Sequence, residues 1–506
     1  SAPGLEAAHR RLEPGQAFSA SALEAAEVAL SNLGVFGSIT FEPQLSKQAP
    51  LETAVPILIT VQQAALRTAR IGGGLELGDQ VALRGLSGWQ NRNFFGALDR
   101  LSIEGRPRLV LYPLKLATLF DRPPHSVIPE VSLRMQYGLP VPLDPRTTVF
   151  VETEGSIARP RNADTPDDFA PVDPFTSFGR VDNVVGYRSI AGRLGLDRRF
   201  FLSRLHGVVS HNLQLFDPFS YNLSSIPDDA LATLLVSYLE LFVELDLRKG
   251  RGGKYDAINP RSGFYASTGL EIAGRAFGGD ADDVKIRPEI RFYAPIGRRF
   301  VLAGKLATSL LFATSYGEVL DAPIPVGAIA ADGGDPALLR RYNRQVQLME
   351  IRGLFSGGPG SNRGYGFNQI APHRVLDESG LLLSDADAIG GRTLWEASLE
   401  LRANISGELG GALFVDASDV TPGVAQYRLS HPHVSSGIGL RYGTPVGPLR
   451  VDLGFRIPGL QVLGESEQLS CIRRAVSCTS YVIEEGDPTE VLGLPLAVAI
   501  AIGNAF

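Results

Sequence analysis

Trp395-Glu396-Ala397-Ser398-Leu399-Glu400-Leu401-Arg402-Ala403-Asn404-Ile405 alternates without a break. Its odd positions are Trp, Ala, Leu, Leu, Ala and Ile; its even positions are Glu, Ser, Glu, Arg and Asn. Successive side chains of a strand point to opposite faces, so this stretch has one apolar face and one densely charged face. The split recurs at Leu449, Val451, Leu453, Phe455 and Ile457 against Arg450, Asp452, Gly454 and Arg456. It recurs at Val284, Ile286, Ile290 and Phe292 against Lys285, Arg287, Glu289 and Arg291, and at Leu239 to Leu247 against Glu240, Glu244, Asp246 and Arg248. A soluble sandwich also alternates, but it hides its apolar face in a core. Here the polar face carries charges of both signs along strand after strand, and the apolar runs span ~9–11 residues, the length a tilted strand needs to cross a bilayer. The economical arrangement puts the apolar side to lipid and the charged side to a wet lumen. Backbone groups in lipid must all be paired, so such a sheet has to close. The fold class read from the sequence is mainly β: an antiparallel transmembrane β-barrel of about sixteen strands, preceded by a small α+β module.

The strands fall at 69–78, 81–92, 97–112, 128–138, 146–157, 183–196, 199–215, 232–248, 262–274, 284–296, 299–314, 392–406, 409–418, 434–443, 447–457 and 494–506. Short connections, at Asn93–Gly96, Asp197–Arg198, Gly297–Arg298, Gly407–Glu408 and Thr444–Val446, largely alternate with long ones at 158–182, 216–231, 315–391, 419–433 and 458–493. Barrels alternate periplasmic turns and extracellular loops in this way. The connection 249–261 is longer than such a turn should be.

Composition excludes other classes. No run reaches the ~18 apolar residues of a membrane-spanning helix. The formal net charge of −6 and the lack of a basic stripe along the chain give no reason to expect nucleic acid. Cys471 and Cys478 are the two cysteines. They read as a small disulfide-closed loop in an oxidising compartment, with two reduced thiols as the alternative. No signal peptide is visible at Ser1, so the chain reads as mature or trimmed.

Residues 1–67 differ from the rest. Leu5 to Leu12 reads as a short helix. Ser21-Ala22-Leu23-Glu24 has capping-box spacing, and Leu23, Glu27, Leu30 and Leu33 continue a helical pattern to Gly34, placed as a C′ residue. Strands near Gly37 to Pro43 and Val55 to Gln62 complete the module, and the barrel occupies 68–506.

Leu354 to Phe367, Leu-Phe-Ser-Gly-Gly-Pro-Gly-Ser-Asn-Arg-Gly-Tyr-Gly-Phe, is a glycine-rich turn that aims one arginine from within a long polar segment. Alone it reads as a chain reversal. With Gly437 to Asp452 (GIGLRYGTPVGPLRVD) and the ending Ile502-Gly503-Asn504-Ala505-Phe506, it resembles the BamA/TamA superfamily of outer-membrane assembly barrels. Gly357-Gly358 and Arg363-Gly364-Tyr365 are similar to that family's sixth-loop signature, the hairpin to its penultimate one, and the ending to its C-terminal recognition strand. The front module resembles a POTRA domain, with Gly34-Val35-Phe36 at the turn after its second helix. The usual first strand is missing, so the resemblance implies further modules upstream. Asn362 departs from the family, which has a small apolar residue there.

The resemblance implies that Arg363 dips into the lumen and pairs with Glu400 and Asp416, which strand parity turns inward. The plainer alternative is a solvated loop charge. Ile71, Gly72, Gly73, Gly74 and Leu75 form a glycine-weakened first strand. Facing the last strand (Ile502, Gly503, Asn504, Phe506), it reads as a lateral seam where a client strand adds by edge pairing; the alternative is a closed, static seam. The function expected is an assembly or translocation factor of the outer membrane. The TamA-like branch is favoured, and a BamA-like insertase or a passive porin or secretion pore are the alternatives. It needs no cofactor and no metal and is no enzyme. Expected partners are unfolded outer-membrane protein clients, a periplasmic TamB-like protein or accessory lipoproteins, and outer-membrane lipid with lipopolysaccharide. Gly72-Gly73-Gly74 lacks the spacing of a phosphate loop. His431 and His433 read as a loop pair, and Asp280, Asp282, Asp283, Asp385 and Asp387 as loop charge rather than calcium ligands. No Gly-x-Ser-x-Gly elbow is present.

Overall fold

The computed structural model describes residues from Val35 to Ile502 apart from 45–54, 77–80, 113–125, 142–143, 160–184, 201–203, 222–230, 321–335, 373–387, 445–448 and 462–493. Before Val35 it describes Ala17, Phe18, Ser19, Leu23, Ala26, Glu27 and Leu30. Leu23, Ala26, Glu27 and Leu30 are helical, the i, i+3, i+4, i+7 set of one helix face. The helix expected at 5–12, both cysteines and Gly503 to Phe506 lie outside the described residues.

A first hairpin, β1 (Phe36–Pro43) and β2 (Ile57–Gln63), forms its own two-stranded sheet. Sixteen further strands form one antiparallel sheet in chain order. They are β3 (Arg67–Glu76), β4 (Val81–Asn91), β5 (Arg100–Tyr112), β6 (Ser126–Val141), β7 (Asp144–Ala158), β8 (Val185–Phe200), β9 (Leu205–Ser220) and β10 (Leu234–Asp246). Then follow β11 (Gly263–Ala273), β12 (Asp283–Ile296), β13 (Phe300–Ala313), β14 (Thr393–Ser406), β15 (Leu409–Thr421), β16 (His433–Tyr442), β17 (Leu449–Ile457) and β18 (Leu496–Ile502). Each pairs with its sequence neighbours, and among the described residues no ladder joins β3 to β18.

The two faces of this sheet invert the usual rule of burial. Leu399, Leu413, Val415, Ile438 and Phe455 are exposed, whereas Glu400, Asp416, Ser435 and Asp452 are buried. Ladder register explains the coherence: Glu400 stands opposite Phe414 and Ser398 opposite Asp416, so one face stays inward across neighbours. An apolar belt this extensive marks a surface that membrane or a partner covers. Inside, charged residues pair across strands, Arg193 with Glu240 at 2.8 Å and Arg134 with Glu152 at 2.6 Å.

Three expectations change. The turn expected at Asp197–Arg198 moves outward, because the β8–β9 ladder continues through Arg199 opposite His206 and Phe200 opposite Leu205. A two-residue hairpin loop needs residues that accept φ > 0, which Asp-Arg does not supply. The long 249–261 connection is folded on itself, with Lys249 bridging both Tyr255 and Ser262. The polar segment 315–391 is not simply loop: it carries helix α1 (Pro336–Arg352). Pro336 at the first helical position and Gly353 just past the last are start and stop signals that the sequence offers.

The largest apolar cluster lies under that segment. Val346, Leu348 and Met349 of α1, with Tyr316, Ile370 and Ile389, pack on Leu234, Leu311 and Val420 from strands β10, β13 and β15. The loop is therefore packed against the inner strands at the end opposite β1–β2. A smaller cluster joins Leu30 and Val35 to Phe36, Ile39 and Phe41 of β1, and to Leu66 and Leu98 beside the first strands of the sheet.

Candidate functional site

Gly357 and Gly358 have φ of 104° and 98°, a region that L side chains rarely enter. These turns let the Gly358 N–H donate to the carbonyls of Asn362 (3.2 Å) and Tyr365 (3.1 Å), folding the tip into a knob that projects Arg363. The approach is closest at Gly364 and Gly454. A Cβ on Gly364 would collide with the Ser435 side chain, and one on Gly454 would collide with the Arg363 carbonyl.

Arg363 is 1% exposed. Its Nε and Nη2 donate to the two oxygens of Asp416 at 2.7 and 2.8 Å, and its backbone N–H reaches Asp416 Oδ2 at 3.1 Å. Nη1 donates to Glu400, and the guanidinium lies 3.5 Å from the centre of the Phe414 ring. The structure thus brings Arg363, Glu400 and Asp416 together. Burial alone would lower the Arg363 pKa, but Asp416 and Glu400 outweigh it and hold it above the usual arginine value. Glu400 also accepts from Arg402 Nε (2.8 Å) and Arg441 Nη2 (3.3 Å), and Arg441 Nη1 continues to Asp452 at 2.6 Å. Such bidentate pairing fixes geometry more than it adds net stability.

The rest of the tip is held with equal completeness. Asn362, the departure from the family pattern, is buried. Its amide donates to Ser418 Oγ (3.1 Å) and the His433 carbonyl (2.8 Å), and its carbonyl accepts from Ser435 Oγ (2.6 Å). The polar residue thus comes with three polar partners. Tyr365 stands edge-on to His433 at 5.4 Å, and the Arg456 guanidinium lies 5.5 Å from its ring. Lys305 of β13 donates to Glu396 (2.7 Å) and to the Gly360 carbonyl (3.1 Å).

A second fork, absent from the sequence reading, closes the same loop at the end of α1. Arg352 Nη2 and Nε donate to Asp283 at 2.6 and 3.1 Å, and Nη1 donates to Glu271 at 2.7 Å. Tyr316 Oη donates to Asp283 at 2.7 Å, and the guanidinium sits 4.8 Å from the Tyr238 ring. Burial again works against the charge, and Asp283 with Glu271 raises the Arg352 pKa despite it. Asp280 accepts from Arg344 and from the Leu235 N–H, so the acidic group at 280–283 fastens the loop. Asp385 and Asp387 lie outside the described residues, as do Gly503, Asn504 and Phe506 of the expected seam. On β3, the other strand of that expectation, Ile71 is 93% exposed and Leu75 is exposed as well.

The arrangement holds rather than reacts: cations and carboxylates sit in fixed pairs. The family model of the Omp85 superfamily domain matches residues 253–460. In fold, the chain is similar to BamA from Haemophilus ducreyi lacking POTRA domains 1–3 (15% identity, TM-score 0.54, covering 90% of this chain and 78% of that one). It is also similar to CdiB from Acinetobacter baumannii (14%, TM-score 0.51, 90% and 68%) and to CdiB from Escherichia coli (11%, TM-score 0.51, 90% and 70%). The whole clasp, from Glu271 through both arginines to Arg456, lies inside residues 253–460, the segment that the Omp85 superfamily model matches.

Proposed function

We propose that this chain is an outer-membrane protein assembly or translocation factor, with β1–β2 belonging to a periplasmic POTRA domain and the sixteen-stranded sheet crossing the bilayer. The observation that carries the reading is the clasped loop, a glycine-folded tip whose one buried arginine is fixed between Glu400 and Asp416. A diffusion pore has no need of such a loop packed inside its wall. Clients are unfolded outer-membrane proteins, which add strands at the seam between β3 and β18. Three features support the seam: the missing ladder among the described residues, the exposed Ile71, and Gly72 to Gly74, which give a strand little side chain to pack. Cys471 and Cys478 close a disulfide loop on the outer side in this reading.

The TamA-like branch, with a TamB-like periplasmic partner, is the finer assignment that the sequence favours. The likeness to BamA and CdiB supports the wider reading and lends that branch no advantage, so a BamA-like insertase with accessory lipoproteins stands beside it. The deciding experiment is reconstitution into liposomes with an added unfolded outer-membrane protein. Wild type should speed its folding, and Arg363→Ala should lose most of that acceleration. A disulfide introduced between β3 and β18 should block activity until it is reduced. Unchanged activity in the locked form would sink the seam, and solute leakage without any acceleration would favour a pore.

A further inference from the structure

We propose that the end of the barrel beside β1–β2 carries a binding surface for the headgroups of anionic phospholipids, built from the β10–β11 and β12–β13 connections. The proposal rests on the membrane-barrel reading above. No basic stripe is visible along the chain, because folding assembles this one from two separate turns. Lys249, Arg251 and Lys254 of the first connection and Arg298 and Arg299 of the second are all exposed. Arg261 Nη2 donates to the Arg298 carbonyl at 2.9 Å, which ties the two turns into one surface. Among the described residues no ion pair joins any of these five cations to a carboxylate. The neighbouring acids are engaged elsewhere: Asp246 is held by Arg248 (2.7 Å) and Tyr255 Oη (2.9 Å), and Asp256 accepts from the N–H groups of Ile258 and Asn259.

Position argues for lipid. The β10–β11 ladder continues past β10, with the Leu247 N–H donating to Phe264 O (2.9 Å) and the Lys249 N–H to Ser262 O (2.8 Å). Lys249 therefore extends the outward row of Leu239 and Leu241, immediately beyond its apolar part. Arg298 crowns a turn between Ile296 and Phe300, both exposed on the outward face, and Phe264 and Ile258 are exposed beside them. Cations capping an apolar and aromatic belt match the composition of a bilayer interface, where headgroup phosphates meet the protein. The unusual length of 249–261 then has a use. Arg248 braces this connection through the Ala257 carbonyl (3.3 Å), and Arg204 lies 4.5 Å from the Tyr255 ring, so it is a built finger rather than slack. The surface is one-sided, since the β14–β15 turn carries Glu408 instead.

The test uses the full chain in detergent and native mass spectrometry, with phosphatidylglycerol and phosphatidylethanolamine as probes. Wild type should retain phosphatidylglycerol in preference. The combined variant Lys249→Gln, Arg251→Gln, Lys254→Gln, Arg298→Gln and Arg299→Gln should lose that preference by at least about tenfold, since each cation near an anionic surface contributes roughly a factor of five. Exchanging Lys for Arg and Arg for Lys at the same positions should keep it. An unchanged preference in the glutamine variant overturns the proposal. So does a polyglutamate peptide that binds wild type as tightly as phosphatidylglycerol and is lost in the same variant, which would make this a surface for an acidic protein. A chain that fails to enter vesicles at all removes the membrane reading itself, a result separable from loss of lipid preference in an inserted barrel.

Discussion

Arg363 and Arg352 stand on one loop, and each is a buried guanidinium clasped by two carboxylates and laid against an aromatic ring. They differ in where the partners lie. Arg363 takes Glu400 and Asp416 from β14 and β15, strands that follow the loop; Arg352 takes Glu271 and Asp283 from β11 and β12, strands that precede it. The first fork positions a glycine-folded tip, and the second fixes the end of a helix over an apolar cluster. Together they spread one loop across the wall from β11 to β17, where Gly454 meets the tip. One fork alone would locate a point, whereas two forks set an orientation.

Substitutions at each fork separate their roles. Arg363→Ala leaves the buried Asp416 with no cation among the described residues, while Glu400 keeps Arg402 and Arg441, and should cost about 3–5 kcal/mol in local stability. It should appear as a lowered urea midpoint, read from Trp395 fluorescence, together with the lost folding acceleration. Arg352→Ala should cost less, about 3 kcal/mol, because Glu271 keeps Arg287 and Asp283 keeps Tyr316. Its distinguishing mark should be greater solute leakage from liposomes with folding acceleration largely kept. Equal loss of acceleration in both variants would mean that the forks act as one unit. The double variant should equal the sum of the singles within about 0.5 kcal/mol, since the forks share no partner. Asn362→Ala should cost about 1–2 kcal/mol by stranding Ser435, Ser418 and the His433 carbonyl. Phe414→Leu, which stays apolar but removes the ring face, should cost about 1 kcal/mol in the same unfolding measurement.

The strands were legible because a face that meets lipid and a face that meets charge leave a period of two in every segment, as in Trp395 to Ile405. The inward direction of Glu400 and Asp416 follows from that period, since both fall on the charged face of their strands. Arg363 was legible only through the resemblance of its loop to a family signature, since the glycine-rich stretch alone reads as a chain reversal. Arg352 had no such frame: it is one of four arginines in Pro336–Arg352, and nothing local tells a buried one from a solvated one. The partners of Asn362 were equally hidden. Ser418 and Ser435 lie 56 and 73 residues away, a pairing that only the packed ladder creates. The β8–β9 turn was misplaced for a related reason: Asp197-Arg198-Arg199 is charged like a connection, yet its ladder partners hold it in the sheet.

Arg352 reaches 69 and 81 residues back along the chain to Asp283 and Glu271, while Arg363 reaches 53 residues forward to Asp416. That opposition has a consequence for the order in which the molecule matures. Everything the helix fork requires has been made before the loop itself, whereas the tip fork must wait for β14 and β15. We expect a staged closure, with the helix docking first and the tip seating afterwards, because the tip's partners Glu400, Asp416, Ser435 and Gly454 come from four successive strands, β14 to β17, that must all be in place. Pulsed cysteine labelling during refolding, with reporters near Met349 and near Tyr365, would read the sequence of events directly. Protection of the Met349 site should precede that of the Tyr365 site, and simultaneous protection would show that loop and wall set together in a single step.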